Sequence, residues 1–295
     1  MAEPITIFKG TTGLNTVSDP VRIEPTDLQV AVNISIDSSG RPRTRRGLTK
    51  LQTGSFHSLF CDGGDCFVIK DGSLYQVAAD GSLSGAIKSG LSNNRMSYAQ
   101  VGDRTYYSNG IDLGIIYQGQ HVDWDEEDYI GPGTHRHFSG PVSGDHIAEF
   151  FGRMLIAKYN VLWWSEPYNF GLYDMASSFV QFYTKIIMLA PVDQGLFIST
   201  EKNTYFISGR DSTKWQARKV AGYPAIEWTN VKVEADDIGA EVSGQYAVWA
   251  SSEGAILGTP DGNIVNLNKK KIIYPETAKT GFGCLVGTNY IHGMK

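Results

Sequence analysis

Five carboxylates crowd together at Asp123, Asp125, Glu126, Glu127 and Asp128, and the alternation of Asp123 with Asp125 resembles the start of a calcium loop. A calcium loop also needs a glycine for its sharp turn and a bidentate glutamate at its end, and neither stands here at that spacing. The stretch therefore reads as a solvated acidic loop, with no metal expected. His135 and His137, two apart, can share a strand face, but without a third ligand nearby they read as a surface loop. Cys61 and Cys66 bracket Asp62-Gly63-Gly64-Asp65 and could face each other across a hairpin. With Cys284 as the only other cysteine there is no disulfide framework, and reduced, packed thiols are expected.

Three further carboxylates, Asp145, Glu166 and Glu253, fall in different repeat units. A propeller glycosidase would draw its acid and nucleophile from separate blades in this way. Nothing else singles them out. The chain lacks the sialidase turn Ser-x-Asp-x-Gly-x-x-Trp, a nucleophile elbow, a phosphate loop and cysteine pairs at zinc spacing. The expectation is a protein that is not an enzyme and holds no cofactor. A carbohydrate-binding or glycoside-cleaving propeller and a cellular protein-interaction propeller stand as the alternatives.

Cationic groups concentrate at Arg41, Arg43, Arg45 and Arg46, with Lys269-Lys270-Lys271 as a second basic spot that reads as a solvated turn. The arginines have two readings. One is a charged edge strand that discourages wrong pairing. The other is a subunit contact, in which copies arranged head to tail join these forks to the acids of Asp123 to Asp128. The formal net charge of −5 over 295 residues argues against a surface that grips nucleic acid throughout.

The elements that would position these groups are short strands. Val30, Val32, Ile34 and Ile36 alternate with polar residues, the period of a half-buried strand. Ser38-Ser39-Gly40 fits a three-residue hairpin loop with Gly40 at positive φ. Pro42 places the returning arginine strand at a sheet edge. Residues 1–51 thus form a closing strand (Ile5 to Phe8), a surface segment and an arginine-rich hairpin, and residues 52–295 repeat.

The repeating units run Phe56 to Leu83, Met96 to Gln120, Ile147 to Asp174, Ile186 to Gly209 and Gln245 to Asn268, each an apolar strand, a polar turn and further strands. The first reads as a four-stranded meander. Lined up on second strands at Phe67, Tyr106, Leu155, Phe197 and Ile256, they recur at about the spacing of propeller blades. Trp215 to Gly239 reads as a sixth, irregular blade or a blade-top insertion. Gly281 to His292 reads as strand-turn-strand, able to pair with Ile5 to Phe8 and close the ring. The fold expected is all-β, a β-propeller of five to six blades. Neighbouring aromatics such as Tyr106 with Tyr107 and Trp163 with Trp164 fit blades buried on both faces. The amino-terminal sequence lacks a signal-peptide pattern and the longest apolar run, Ile186 to Ala190, is too short for a bilayer span, so a soluble protein made in the cytoplasm is expected.

The segment from Asn33 to Leu51, an asparagine-led strand, a glycine turn and an arginine-bearing return strand, resembles the leading hairpin of tail proteins from short-tailed bacteriophages. Gly152 to Asp174, with Ser165-Glu166-Pro167 at its turn, is similar to a blade of the same family. The resemblance implies a tail nozzle, or packaged-DNA stabilisation protein, located in the virion tail. It would form a ring of six below the portal and the head-to-tail adaptor protein, retain the packaged DNA and guide its ejection. Double-stranded DNA would pass without sequence-specific binding, and no membrane would be involved. Six copies would carry roughly thirty negative charges, a lumen that repels phosphate. The chain is short for that group, which puts attachment of tail fibre or spike proteins in doubt.

Overall fold

The computed structural model describes residues 11–37, 39–45, 47, 49–125, 138–268, 271–272 and 274–295. Five antiparallel sheets form a five-bladed β-propeller. Blade one holds β5 (Phe56–Asp62), β6 (Asp65–Lys70) and β7 (Ser73–Gln76), after four short strands in the preceding arm: β1 (Gly13–Leu14), β2 (Asp27–Leu28), β3 (Ile34–Ile36) and β4 (Pro42–Thr44). Blade two is β8 (Ser97–Val101), β9 (Arg104–Ser108), β10 (Leu113–Tyr117) and β11 (Gln120–Val122). Blade three is β12 (His146–Phe150), β13 (Arg153–Lys158), β14 (Val161–Trp164) and β15 (Phe179–Gln181). Blade four is β16 (Ile186–Val192), β17 (Gly195–Thr200), β18 (Thr204–Ser208) and β19 (Arg218–Ala221). Blade five is β20 (Val231–Glu234), β21 (Gln245–Ser251), β22 (Gly254–Gly258) and β23 (Ile264–Asn266). A last hairpin pairs β24 (Gly281–Val286) with β25 (Asn289–Met294).

The strand period of two explains why the blades stack radially. Along β9, Tyr106 joins Met154, Ile156 and Tyr173 of blade three, while the next residue, Tyr107, joins Phe67, Ile69 and Leu74 of blade one. Along β17, Phe197 packs on Trp249 and Ile256 of blade five, whereas Leu196 and Ile198 meet Leu155, Leu162 and Trp164 of blade three. Each second strand therefore buries both faces, and the core is a set of apolar slabs between blades. The last slab sets Val233, Tyr246 and Val248 against Leu285 and Tyr290, so the β24–β25 hairpin covers the outer face of blade five.

Four expectations about strand layout are corrected. Blade one has three strands; its outer edge is reduced to isolated bridges between Val77 and Leu83 and between Leu74 and Lys88. Trp215 to Gly239 is neither a sixth blade nor an insertion, since it supplies β19, the last strand of blade four, and β20, the first of blade five. Ile256 lies on a third strand; Trp249 holds the second-strand place in blade five. A one-turn helix, α1 (Ala235–Ile238), separates β20 from β21 and hides that first strand from the repeat. The half-buried strand from Val30 to Ile36 is only β3 long. Asn33 turns to φ 54°, and Val30 and Val32 are 75% and 77% exposed. The reason is that a two-stranded hairpin has no second layer to cover its apolar row.

The hairpin turn itself forms as expected. The Asp37 N–H donates to the Arg41 carbonyl (3.1 Å), and Gly40 takes φ 79°. Cys61 and Cys66, expected as thiols, are disulfide-bonded. They are directly opposite across the β5–β6 ladder, and the Gly63-Gly64 turn brings their Cα atoms to 4.1 Å. The expected closing strand, Ile5 to Phe8, lies outside the described residues.

Candidate functional site: a charge network at the propeller axis

First strands pack beside one another around the axis, β12 against β8 and β16, and β16 against β20, with the second strand β21 of blade five also lying against β16. The residues just ahead of them converge at one end. Arg95 precedes β8, Asp145 precedes β12, Lys185 precedes β16, and Glu227 with Trp228 leads into β20. The Lys185 Nζ lies 3.8 Å from a carboxylate oxygen of Asp145 and 3.8 Å from one of Glu227. His146 Nε2 lies 3.1 Å from Glu227 Oε1, and the His146 ring packs against Trp228, tilted by 37° with centroids 4.4 Å apart. The Arg95 guanidinium lies 5.5 Å from a ring centroid of the same indole, while its Nη1 donates to the Gly281 carbonyl. At that distance the cation is attracted by the ring's electron-rich face.

Backbone holds this corner in place. The Glu227 N–H donates to the Lys279 carbonyl (3.1 Å) and the Gly281 N–H returns to the Glu227 carbonyl (2.9 Å), stitching the lead of blade five to the C-terminal hairpin. Trp228 is held at φ 69°. This is a left-handed conformation rare for an aromatic residue. The Thr229 hydroxyl secures the bend by donating to the Ile226 carbonyl (2.6 Å) and accepting from the Ala250 N–H (3.1 Å).

Electrostatics define what the network can do. Burial pushes the Glu227 carboxyl up, but the His146 hydrogen bond and the charges of His146, Lys185 and Arg95 outweigh it and hold the group below its ordinary value. Glu227 is therefore an anion at neutral pH and unsuited to donate a proton. Burial lowers the Arg95 pKa, opposed by the Glu227 charge. His57, on β5 beside this corner, is also lowered, first by burial and then by the Arg95 charge. Two cations, two carboxylates and two aromatic rings drawn from four blades make a pinning network across the axis, suited to rigidity.

The three carboxylates picked out from the sequence do not converge, and they come from two blades, not three, since Asp145, directly ahead of β12, and Glu166, after β14, both belong to blade three. Asp145 joins the axial network. Glu166 follows β14, level with Met154 and Arg153, at the opposite end of blade three. Glu253 sits in the β21–β22 turn. The Ser165-Glu166-Pro167 turn closes that far end, with the buried Ser165 accepting from the Met154 N–H at its hydroxyl (3.0 Å) and donating to the Met154 carbonyl from its own N–H (3.0 Å).

The other predicted residues fall at the periphery. Arg41, Arg43 and Arg45 are exposed on the arm hairpin; Arg43 reaches Asp37 at 3.3 Å. Asp123 and Asp125 are exposed, with Asp123 bonded to His121 Nε2 at 3.0 Å, and between them Trp124 is buried and donates to the Phe170 carbonyl (2.9 Å). Arg46, Glu126, Glu127, Asp128, His135, His137, Lys269 and Lys270 lie outside the described residues. Lys271, expected in a solvated turn, instead reaches the enclosed Asp27 carboxylate at 2.8 Å and tethers the arm to the propeller.

Sequence reasoning missed Arg95, Lys185, Glu227 and Trp228. The signal was positional: a charged residue stands directly before β12 and β16 and a few residues before β8 and β20, in the lead of consecutive first strands.

Comparison with known proteins fixes the architecture. No family model and no curated protein matches the chain. Among solved structures, BBS1N in complex with ARL6DN is similar with a TM-score of 0.52, 11% identity, and coverage of 86% of this chain and 81% of that one. The chain is a β-propeller. The extracellular domain assigned to a hybrid two-component system of B. thetaiotaomicron aligns at a TM-score of 0.48 and 10% identity over 82% of this chain and 33% of that one. The propeller thus spans about a third of that domain's length. The N-terminal domain of Nup159 aligns at 0.47 and 8% identity, covering 80% of this chain and 71% of its own. At such identities the likeness is one of fold.

Proposed function

We propose that this propeller is a structural subunit of a bacteriophage tail, of the nozzle or packaged-DNA stabilisation type, assembled as a ring of six in the virion. The observation that carries this reading is the amino-terminal arm. It leaves Val21, Val30, Val32 and Leu51 exposed together with Arg41, Arg43 and Arg45, and its one ion pair to the propeller among the described residues is Asp27–Lys271. An arm that presents apolar side chains and arginine forks to solvent in the monomer is suited to an interface, where apolar, aromatic and arginine side chains are enriched. The resemblance of Asn33 to Leu51 and of Gly152 to Asp174 to phage tail proteins supports the same reading. In the ring the arm would dock on the neighbouring copy, the head-to-tail adaptor would sit above, and double-stranded DNA would pass an acidic wall without sequence readout.

The test is assembly. Light scattering and negative-stain micrographs of the purified protein, alone and with candidate adaptor protein, should show a closed ring with a central channel. A protein that stays monomeric at high concentration and in the adaptor's presence would overturn the reading.

A further inference from the structure

A cavity of about 420 Å³ opens between β5 and the C-terminal hairpin, lined by Ser55, Phe56, His57, Asn93, Arg95, Thr280, Gly281 and Lys295. Its size falls in the usual range for small-ligand sites, about 300–1,000 Å³. Two of the lining side chains, those of Arg95 and Lys295, are cationic, and none is a carboxylate.

Arg95 is fixed but not used up. Its Nη1 donates to the Gly281 carbonyl and its face lies on Trp228, yet no other hydrogen bond from the guanidinium is made among the described residues. A guanidinium has five N–H donors, so most are free, and none is sealed away from solvent as an enclosed orphan. Glu227 acts on Arg95 through its charge but gives its oxygen to His146 and Lys185. Asn93 adds an amide on the same wall, and Lys70 lies over the Phe56 ring at 5.6 Å.

We propose that this cavity is a binding site for a small oxyanion-bearing ligand, a carboxylate or phosphate group held by the Arg95 fork, with Asn93 and Lys295 as further donors. A pre-positioned guanidinium with unspent donors presents the planar pair of N–H groups that carboxylates and phosphates accept, at no further cost in side-chain ordering. The site is independent of ring assembly, because it lies beside the axis of a single propeller and not on the arm.

The test is a titration of the full chain with inorganic phosphate and, separately, with acetate, each against sodium chloride at matched ionic strength. Binding is read by nuclear magnetic resonance of backbone and side-chain amides. Saturable shifts at Asn93, Thr280 and Gly281 are expected. Arg95→Gln should weaken binding by about tenfold to a hundredfold, the worth of one or two charge-assisted hydrogen bonds. Arg95→Lys should recover part of that loss. Saturation by phosphate alone or acetate alone assigns the preferred oxyanion. Shifts that follow ionic strength only, that map to the arm arginines, or that persist in Arg95→Gln would overturn the proposal. Should Arg95→Gln fail to fold, Asn93→Ala with Lys295→Gln carries the same test, with an expected loss of at least about threefold.

Discussion

His146 Nε2 and Glu227 Oε1 are 3.1 Å apart although 81 residues separate them in the chain, and the pair joins the first strand of blade three to the lead of blade five across the propeller axis. Blade four contributes Lys185 to the same carboxylate at 3.8 Å. One carboxyl thus ties three blades together.

Glu227→Gln should lower stability by about 1–3 kcal/mol at pH 7, because it leaves Lys185 and His146 facing a neutral amide in a partly buried place. Glu227 has a depressed pKa in the folded state, so its contribution is complete above the ordinary value of 4.5 and is lost as pH falls through the lower folded value. Melting curves of the two proteins should converge on acidification below 4.5. A gap independent of pH would refute this account.

Asp27 is the hinge pin of the arm. The Lys271 hydrogen bond, then those from Thr12 and Asn15, pull its pKa from 3.8 down to about 2. The tether is therefore intact above 3.8 and loosens as pH falls toward 2. Asp27→Asn should speed limited proteolysis within residues 11–45 at neutral pH while the propeller core stays resistant; equal cleavage rates in the two proteins would show that the tether is unimportant.

Arg43 and Arg45 belong to the arm's exposed face. Replacing both with Ser should weaken ring formation, yet shift monomer melting by less than about 1 kcal/mol, since the Arg43–Asp37 pair is solvent-screened. A loss of melting stability as large as the loss of assembly would assign them an intrachain role.

Trp249 is fully buried between Phe197 and Ile256, and a methyl group added at Gly258 would come 2.6 Å from Phe197 and 2.7 Å from Trp249. Trp249→Ala should cost about 3–5 kcal/mol and Gly258→Ala about 1–3 kcal/mol, by cavity and by overcrowding respectively. Denaturant unfolding at constant m-value checks both.

Thiol counting tests the Cys61–Cys66 bond. The oxidised native protein should react at one thiol, the exposed Cys284, and the reduced, unfolded protein at three. Because the bond closes a short loop, changing both cysteines to Ser should cost no more than about 2 kcal/mol. Three reactive thiols in the native, never-reduced protein would mean that the hairpin forms without the bond.

What could be read from the chain by itself was whatever local period and turn chemistry dictate. Short apolar runs around Phe67, Tyr106, Leu155 and Phe197, separated by polar turns, marked second strands, Gly40 marked its turn, and adjacent aromatics such as Tyr106 and Tyr107 marked blades covered on both faces. The disposition of blade five escaped, because α1 and its loop stand between β20 and β21 and break the spacing that made the other units recognisable. The disulfide escaped because a pair of cysteines flanking a turn says that they face each other, not whether they are oxidised.

Everything that converges across blades was decided by tertiary structure. Arg95, Asp145, Lys185 and Glu227 carry no shared motif; they converge only because first strands of successive blades start at the same end of one axis. Val30 and Val32 show the reverse case, in which a sequence pattern asks for a buried face and the fold supplies no second layer to bury it. Periodicity fixes which side of a strand is apolar, whereas the identity of what lies against that side is a property of the closed ring.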